Sequence, residues 1–260
     1  MSLTITPILA FNDNYIWTLI NDKNKQAIVV DPGQSQPVIE YLQQNGLELT
    51  AIWITHHHND HVGGVAELRE MYPMTHVVAG TEHGVSPDQV VNESSSVRAW
   101  GYGAQVWAVP GHTKSHLAYI FDNNEDTKHV FCGDTLFSAG CGRVFTGTME
   151  QLYDSLKRFS KLPEDTLFYP AHEYTASNLK FGLSIEPNNK QIQQTLVEVE
   201  ALNQQGKPSL PVTLAHEKQV NVFLRTSEES VIDGVKAKVD LADTKPLTVF
   251  TALRELKDTF

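Results

Sequence analysis

Residues 55–61 read Thr-His-His-His-Asn-Asp-His, and no other stretch of the chain says as much about its fold and chemistry. The stretch contains the pattern His-x-His-x-Asp-His at His56, His58, Asp60 and His61. Core packing does not explain this pattern, because histidine is seldom a core residue and crowded imidazoles repel one another once protonated. Nitrogen and carboxylate donors at this density suit zinc, iron or manganese, and catalytic metal sites keep a position open for water. The pattern therefore predicts a catalytic metal centre.

The local backbone divides these side chains between two directions. In an extended segment residues i and i+2 point the same way, so His56 and His58 face one metal ion and His57 faces elsewhere. Asp60 and His61 begin the turn into a helix, where they are placed to serve a second metal ion. We therefore expect His57 to be the imidazole that does not bind metal.

Later candidate ligands share one position, since each comes just after an apolar, strand-like segment, as the histidine pattern does. They are His112 after residues 105–109, Asp134 after 129–132 and His172 after 166–169. Active sites commonly lie on loops at one edge of a sheet, where several strand ends converge. Alone, each residue is ordinarily a structural histidine or a turn residue. Together with the first pattern, they predict one shared centre.

Strand-like and helix-like segments alternate through the first two-thirds of the chain, which favours sheets packed against helices. The predicted strands are 15–20, 26–30, 51–55, 76–79, 105–109, 117–121, 129–132 and 166–169. The predicted helices are 37–44, 62–71 and 150–162. The fold class is therefore α/β.

The sequence changes in character after about residue 173. Residues 189–204 are polar with apolar positions three and four apart, which predicts an amphipathic helix, and 247–256 is also helix-like. Residues 226–239 have no firm assignment. We predict a catalytic domain over 1–172 and a smaller, mostly helical domain over 173–260.

Composition narrows the class of protein. The formal charge of −11 and the pI near 5.4 argue against a nucleic-acid or anionic-membrane surface. Cys132 and Cys141 are too few for a disulfide framework and fit a reducing compartment, where each is expected to be a small buried residue. The first eleven residues lack the basic start and long apolar run of a leader. We expect a cytoplasmic monomer that does not associate with membranes.

The ligand pattern resembles the metallo-β-lactamase superfamily. The features that carry the resemblance are His-x-His-x-Asp-His, a histidine after Pro-Gly, an aspartate after glycine and a histidine in Ala-His-Glu-Tyr. The resemblance implies an αββα sandwich with two metal ions between its sheets. It also implies a first metal on His56, His58 and His112, a second on Asp60, His61 and His172, and a bridge through Asp134.

Other segments resemble the glyoxalase II family, the hydroxyacylglutathione hydrolases. They are residues 13–15, 31–33, 55–64, 133–137, 140–143, 172–175 and 221–225, with a basic C-terminal helix. The resemblance runs from near the N-terminus to Phe260. It implies hydrolysis of S-D-lactoylglutathione to glutathione and D-lactate, the second step of methylglyoxal detoxification, by a hydroxide held between two divalent ions. Zinc is the expected metal, iron and manganese are alternatives, and Asp60 and Asp134 are the expected catalytic carboxylates.

The same resemblance implies how the chain binds the glutathione moiety. The expected substrate-binding residues are Arg143, Phe145, Tyr174, Arg254 and Lys257. Arg143 departs from the lysine of some members, which keeps the charge and changes the donor geometry. Arg254 and Lys257 have an alternative as a solvated pair on one helix face, and the two aromatic residues have an alternative in simple packing. Arg225 is expected to make a structural ion pair.

Three other functions fit the sequence less well. A sulfur dioxygenase of the same fold uses a single iron with two histidines and one aspartate and lacks the helical tail. An RNA-processing nuclease needs a basic groove, which the acidic composition disfavours. A non-enzymatic scaffold would be expected to have lost ligands, and all seven ligand positions are filled here.

Overall fold

The computed structural model describes residues 3–122 and 127–260, and the chain divides into two compact units. Unit 1 comprises Met1–Ala108 and Ser115–Gly133, and unit 2 comprises Val109–Lys114 and Asp134–Phe260. The domain boundary predicted after residue 172 rests on sequence character and stays a prediction.

Unit 1 contains two sheets and helices that connect their strands. The strands are β1 Leu3–Ala10, β2 Asn14–Asn21, β3 Gln26–Val30, β4 Glu48–Trp53, β5 His76–Ala79, β6 Gln89–Val90, β7 Ser96–Ala99, β8 Tyr102–Ala108, β9 Leu117–Asp122 and β10 Lys128–Gly133. The helices are α1 Gln36–Asn45, α2 Asn59–Val62 and α3 Val65–Met71. The first sheet has the order β1-β2-β3-β4-β5-β6, and the second has the order β10-β9-β8-β7 within this unit.

Helices α1 and α3 cover one face of the first sheet. That sheet is antiparallel from β1 to β3 and parallel from β3 to β6. Side chains of the two helices, such as Val38, Leu42 and Leu68, are fully buried in one apolar cluster with Ile52 of β4. Burying each such side chain stabilises the fold by about 1.5–3 kcal/mol.

The opposite face of β4 packs on the second sheet. Trp53 follows Ile52 and therefore points the other way, where its ring stacks on Tyr119 with centroids 5.1 Å apart. Phe131 packs edge-on against Trp53 at 6.3 Å. The Tyr119 hydroxyl donates to the carbonyl of Ile54 at 2.9 Å, so this buried polar atom is satisfied. The period-two alternation of β4 thus supplies both the helix–sheet and the sheet–sheet core.

Unit 2 is mostly helical. Its strands are β11 Leu136–Phe137, β12 Gly140–Cys141, β13 Leu167–Pro170 and β14 Val212–Thr213. Its helices are α4 Met149–Phe159, α5 Thr175–Ile185, α6 Lys190–Gln204, α7 Leu214–Val220, α8 Glu229–Lys236 and α9 Pro246–Asp258, with a 3₁₀ turn at Val222–Leu224. Aromatic rings join these helices, since Phe223 lies 6.0 Å from Phe181 of α5 and 5.7 Å from Phe250 of α9.

One predicted helix is wrong in its bounds, because residues 62–71 form the end of α2 and the whole of α3. The break falls at Gly63 and Gly64, where the chain passes very close to other backbone. A Cβ on Gly63 would lie 2.7 Å from the carbonyl oxygens of Asn59 and Gly33, and one on Gly64 would lie 2.6 Å from the backbone of Ser35. Residues 226–239, which had no assignment, contain α8.

None of the helices within 3–122 and 127–260 combines the length and the apolar character needed to cross a bilayer.

Candidate metal centre

In unit 1 the histidine pattern occupies the segment between β4 and α2. The chain is extended at His58, which caps α2 with φ −65° and ψ 144°. His56 and His58 approach each other as the i and i+2 rule predicts, with Nε2 of His56 3.0 Å from Nδ1 of His58. The rings of His56 and His61 lie 4.0 Å apart, and both side chains are fully buried. The His57 ring lies edge-on to His58 at 5.0 Å.

Asp31 fixes the hydrogen-bonding state of two of these histidines. Its Oδ2 accepts from the Thr55 hydroxyl at 2.6 Å and lies 3.0 Å from His61 Nδ1. Because the carboxylate can only accept, the Nδ1 atom of His61 donates to it. Because the Thr55 hydroxyl already donates its hydrogen bond to Asp31, its oxygen accepts from His56 Nδ1 at 3.1 Å. His56 and His61 therefore both keep a lone pair on Nε2, which is the form that binds a metal ion.

Asp60 lies beside this pair of histidines. Its Oδ2 atom is 3.4 Å from His61 Nε2 and accepts a hydrogen bond from the Asn14 side-chain amide at 3.1 Å. A Cβ on Gly33 would lie 1.9 Å from the Asp60 carbonyl oxygen, so only glycine permits this approach. The turn after β3 thus supports the backbone that carries Asp60.

Unit 2 places Asp134 between its two candidate histidines. Asp134 Oδ2 lies 3.5 Å from His112 Nε2, and Asp134 Oδ1 lies 3.5 Å from His172 Nε2. His112 Nδ1 lies 2.7 Å from the carbonyl oxygen of Arg143, which can only accept. His112 therefore carries its proton on Nδ1 and turns the Nε2 lone pair towards a carboxylate oxygen. Two facing electron-pair donors are stabilised by a cation that both can bind.

Two of the predicted substrate residues lie against these histidines. Tyr174 stacks on His172 with centroids 4.7 Å apart and planes at 9°, and Phe145 packs edge-on to His112 at 5.2 Å. Phe145 is 61% exposed and Tyr174 37% exposed, so each ring packs on a candidate ligand and also presents a surface to solvent. Packing and substrate contact are therefore compatible for both rings.

The three predicted cations group around the C-terminal end of α9. Arg143 and Arg254 both contact Asp258 Oδ1, at 3.0 and 3.1 Å, and Lys257 donates to the Ser177 hydroxyl at 3.2 Å. Burial first, and then the neighbouring guanidinium groups of Arg254 and Arg143, lower the pKa of Lys257. Crowded like charges of this kind create a positive potential that favours a carboxylate.

Other motif residues have structural roles. Glu173 accepts hydrogen bonds from the backbone and hydroxyl of Ser209, at 2.9 and 2.7 Å. Arg225 pairs with Glu186, which confirms the predicted ion pair. Both cysteines are buried as predicted, and burial raises the pKa of the Cys141 thiol to about 11.

Sequence reasoning missed Asp31, Asn14 and Glu217 as supports of the site. Asp31 follows β3 in Asp-Pro-Gly and has φ 55°, an uncommon conformation for a residue other than glycine. A charged residue directly after an apolar strand was the available signal, and its neighbours Pro32 and Gly33 made an ordinary turn the simpler interpretation.

Glu217 of α7 is a fully buried carboxylate beneath the β11–β12 hairpin. It accepts from the Ser138 hydroxyl at 3.0 Å, the Ala139 backbone at 2.9 Å and the Asn221 amide at 2.8 Å. Burial raises the pKa of Glu217 to about 7 in spite of these donors. The carboxylate therefore organises the hairpin that leads into residues 140–143.

We expect Glu217→Gln to be progressively more stable relative to the native chain as pH rises from 5 to 8. Because the folded pKa is raised, the contribution of Glu217 to stability is fully present below its unfolded pKa and is lost as pH rises through about 7. The difference in unfolding free energy should grow by up to about 3 kcal/mol. Urea titrations at each pH measure it. The exposed Glu164→Gln is the control, and a pH-independent difference for Glu217→Gln would contradict the expectation.

Comparison with known proteins identifies the family of the chain. Residues 15–115 match the family model for the metallo-beta-lactamase superfamily, and residues 173–260 match the model for the hydroxyacylglutathione hydrolase C-terminus. The chain is 48% identical over 259 residues to hydroxyacylglutathione hydrolase of Vibrio cholerae, covering 99% of this chain and 100% of the relative. It belongs to the hydroxyacylglutathione hydrolase family. The Neisseria meningitidis hydroxyacylglutathione hydrolase is also 48% identical, over 258 residues, with 99% of this chain and 100% of that relative covered.

A solved structure supports the fold. The crystal structure of ETHE1 from Myxococcus xanthus matches with a TM-score of 0.65 and 25% identity, covering 100% of this chain and 99% of that one. The predicted α/β fold of the metallo-β-lactamase type, with its helical C-terminal part, is confirmed, and so is the predicted family. The chain is an enzyme of a thioester hydrolase family.

Proposed function

We propose that the chain hydrolyses S-(2-hydroxyacyl)glutathione, chiefly S-D-lactoylglutathione, to glutathione and a 2-hydroxy acid, as the second step of methylglyoxal detoxification. The observation that carries the proposal is the 48% identity to a hydroxyacylglutathione hydrolase across 99% of the chain. The model for the family's C-terminal part also matches residues 173–260. The test is release of glutathione from S-D-lactoylglutathione by the purified protein, followed with a thiol reagent.

The two sets of ligands form one binuclear centre in this proposal. His56, His58 and His112 would hold the first divalent ion, Asp60, His61 and His172 would hold the second, and Asp134 would serve both. The donor set fits, because Nδ1 of His56, His61 and His112 each face an oxygen acceptor and leave Nε2 for a metal ion. When bound, two such ions supply an activated water and stabilise the oxyanion that forms at the carbonyl.

The chain's own residues then orient the reactants. Asp60 is held by Asn14 and is 39% exposed at its side chain, which suits a carboxylate that orients the attacking water. Asp134 presents one oxygen to His112 Nε2 and the other to His172 Nε2, each at 3.5 Å, so it could share a metal ion with each histidine. These two carboxylates are the proposed catalytic residues.

Zinc is the proposed metal, with iron and manganese as alternatives that the same donors accept. Elemental analysis of protein purified from its native host identifies the metal and its stoichiometry. A result near two ions per chain supports the binuclear centre. A single iron together with oxygen-dependent turnover would instead indicate the sulfur dioxygenase chemistry considered above.

We propose that residues 1–172 form the catalytic domain and 173–260 the substrate-binding domain, in a cytoplasmic monomer. Arg143, Phe145, Tyr174, Arg254 and Lys257 are the proposed substrate contacts. Arg143 is 58% exposed at its side chain, and Lys257 is partly exposed. Both side chains are therefore accessible to a substrate carboxylate. Arg254 is the most buried of the five.

Replacing Lys257 with methionine should raise KM for S-D-lactoylglutathione roughly tenfold and leave kcat within about twofold, since one charge-assisted hydrogen bond contributes about 1.5–3 kcal/mol. The lactoyl thioester of N-acetylcysteamine, which has no carboxylate, should show no change. Steady-state kinetics on both substrates measure the effect. Equal KM increases for the two thioesters would exclude a carboxylate contact by Lys257.

A further inference from the structure

The ring of Phe137, in β11, packs against the stacked pair of His172 and Tyr174. It lies 5.8 Å from the His172 ring and 5.2 Å from the Tyr174 ring, at angles of 89° and 81°. Perpendicular ring contacts of this kind are directional, because the positive edge of one ring meets the negative face of the other. Phe137 is 5% exposed and therefore has little freedom to move. Its position constrains the planes of a proposed metal ligand and a proposed substrate contact.

The β11–β12 hairpin that carries Phe137 turns through a backbone conformation that needs support. Ala139 has φ 55°, in the left-handed region that residues other than glycine seldom adopt. In this conformation its backbone N–H donates to Glu217 Oε2 at 2.9 Å, and the neighbouring Ser138 hydroxyl donates to Oε1 at 3.0 Å. Glu217 therefore holds the turn in a shape that the local sequence does not favour.

Asn221 holds the two strands of the same hairpin. Its Nδ2 donates to the Gly140 carbonyl at 2.9 Å and lies 3.3 Å from the carbonyl of Phe137, the residue opposite Gly140 in the hairpin. The same Nδ2 lies 2.8 Å from Glu217 Oε2, which joins the two fully buried side chains into one network. A Cβ on Gly140 would lie 2.5 Å from Nδ2 of Asn178, so α5 blocks movement of the hairpin on that side.

We propose that Glu217 and Asn221 are positioning residues: they fix the β11–β12 hairpin so that Phe137 orients His172 for metal binding and Tyr174 for contact with the substrate. The proposal rests on the proposed function for the roles of His172 and Tyr174. Glu217 and Asn221 act on these two rings at one remove, through Phe137. Because a metal-bound histidine depends on the groups that orient it, loss of the network should weaken metal binding as well as catalysis.

The test compares Glu217→Ala, which removes every acceptor from the network, with Glu217→Gln, which keeps one for Ala139 and Asn221. In the Co²⁺-substituted protein, Glu217→Ala should shift the visible absorption spectrum and lower Co²⁺ affinity, measured by chelator competition, roughly tenfold. With native metal, kcat/KM on S-D-lactoylglutathione should fall by a similar factor or more. Glu217→Gln should retain the native spectrum and stay within about twofold of the native affinity and kcat/KM.

Glu186→Ala is the matched control, because it removes another buried carboxylate of unit 2. Glu186 is 5% exposed, pairs with Arg225 and accepts from the Ser230 hydroxyl at 2.6 Å. Its loss should lower the thermal melting temperature and leave the Co²⁺ spectrum and kcat/KM unchanged. The control separates a general loss of stability from a loss of ligand orientation.

Phe137→Leu tests the last step, because it keeps an apolar side chain and removes the ring. It should also shift the Co²⁺ spectrum and lower kcat/KM. Adding Glu217→Ala to it should lower kcat/KM by less than about threefold, since both changes act through the same ring. A native spectrum with native kcat/KM in Phe137→Leu, or in a folded Glu217→Ala protein, would overturn the proposal. So would full additivity in the double variant.

Circular dichroism and thermal melting check folding. If Glu217→Ala does not fold, Asn221→Ala takes its place, and an unshifted Co²⁺ spectrum in that variant overturns the proposal. Phe137→Leu tests the proposal in either case. Failure of the native protein to hydrolyse the thioester would instead contradict the proposed function, and the Co²⁺ spectra and affinities would still test the positioning of His172.

Discussion

Asp134→Ala should lose bound metal and thioester hydrolysis together. The two carboxylate oxygens of Asp134 point separately at His112 and His172, each at 3.5 Å, so this one side chain connects both histidines of unit 2. Removing it leaves two imidazole lone pairs without the anion that offsets the charge of the metal ions. Metal ions of this kind lower the activation barrier by several kcal/mol, so without them activity should fall by roughly a thousandfold or more.

The measurement pairs elemental analysis with glutathione release from S-D-lactoylglutathione. His58→Ala should behave similarly, because it removes a proposed ligand of the first ion. Asp154→Ala is the matched control, since it deletes an exposed carboxylate on α4 in the same unit and should change neither quantity. Full activity in an Asp134→Ala protein depleted of metal would exclude metal-dependent hydrolysis altogether.

The candidate ligands could be recognised in the sequence because their pattern depends on short-range rules. Alternation along an extended chain relates His56 to His58, and the structure places their ring nitrogens 3.0 Å apart. The positions of His112 and Asp134 after apolar strands were visible as hydrophobic runs followed by glycine or proline. Most strands were predicted to within a few residues for the same reason. The segment 62–71 was wrongly predicted as one continuous helix, because the close backbone packing at Gly63 and Gly64 leaves no periodic signal in the sequence.

The supporting residues could not be predicted because their partners are distant in the chain. Asp31 contacts Thr55 across 24 positions, and Glu217 contacts Ser138 across 79. A sequence pattern identifies residues that can bind metal or substrate more readily than it identifies the distant residues that orient them.

Asp31→Asn should weaken metal binding by roughly 10–100-fold without removing any ligand. The substitution keeps the acceptor for the Thr55 backbone, which Asp31 Oδ1 binds at 2.8 Å, and replaces Oδ2 by an NH₂ donor. That donor faces His61 Nδ1 and the Thr55 hydroxyl, which both need an acceptor there. His61 then favours the tautomer with its proton on Nε2, which cannot bind a metal ion.

Chelator competition measures the affinity, and ¹⁵N NMR of the metal-free protein reports the histidine tautomers directly. Hydrolysis should be low at limiting metal and recover in part with excess metal, because all seven proposed ligands remain. Asp88→Asn is the matched control: it alters an aspartate of unit 1 that also accepts from a backbone amide, that of Val77 at 2.8 Å, away from the histidines. Asp31 orients these ligands only if its variant loses affinity where the control does not. Equal metal affinities in the two variants would show that Asp31 does not contribute to orienting the ligands.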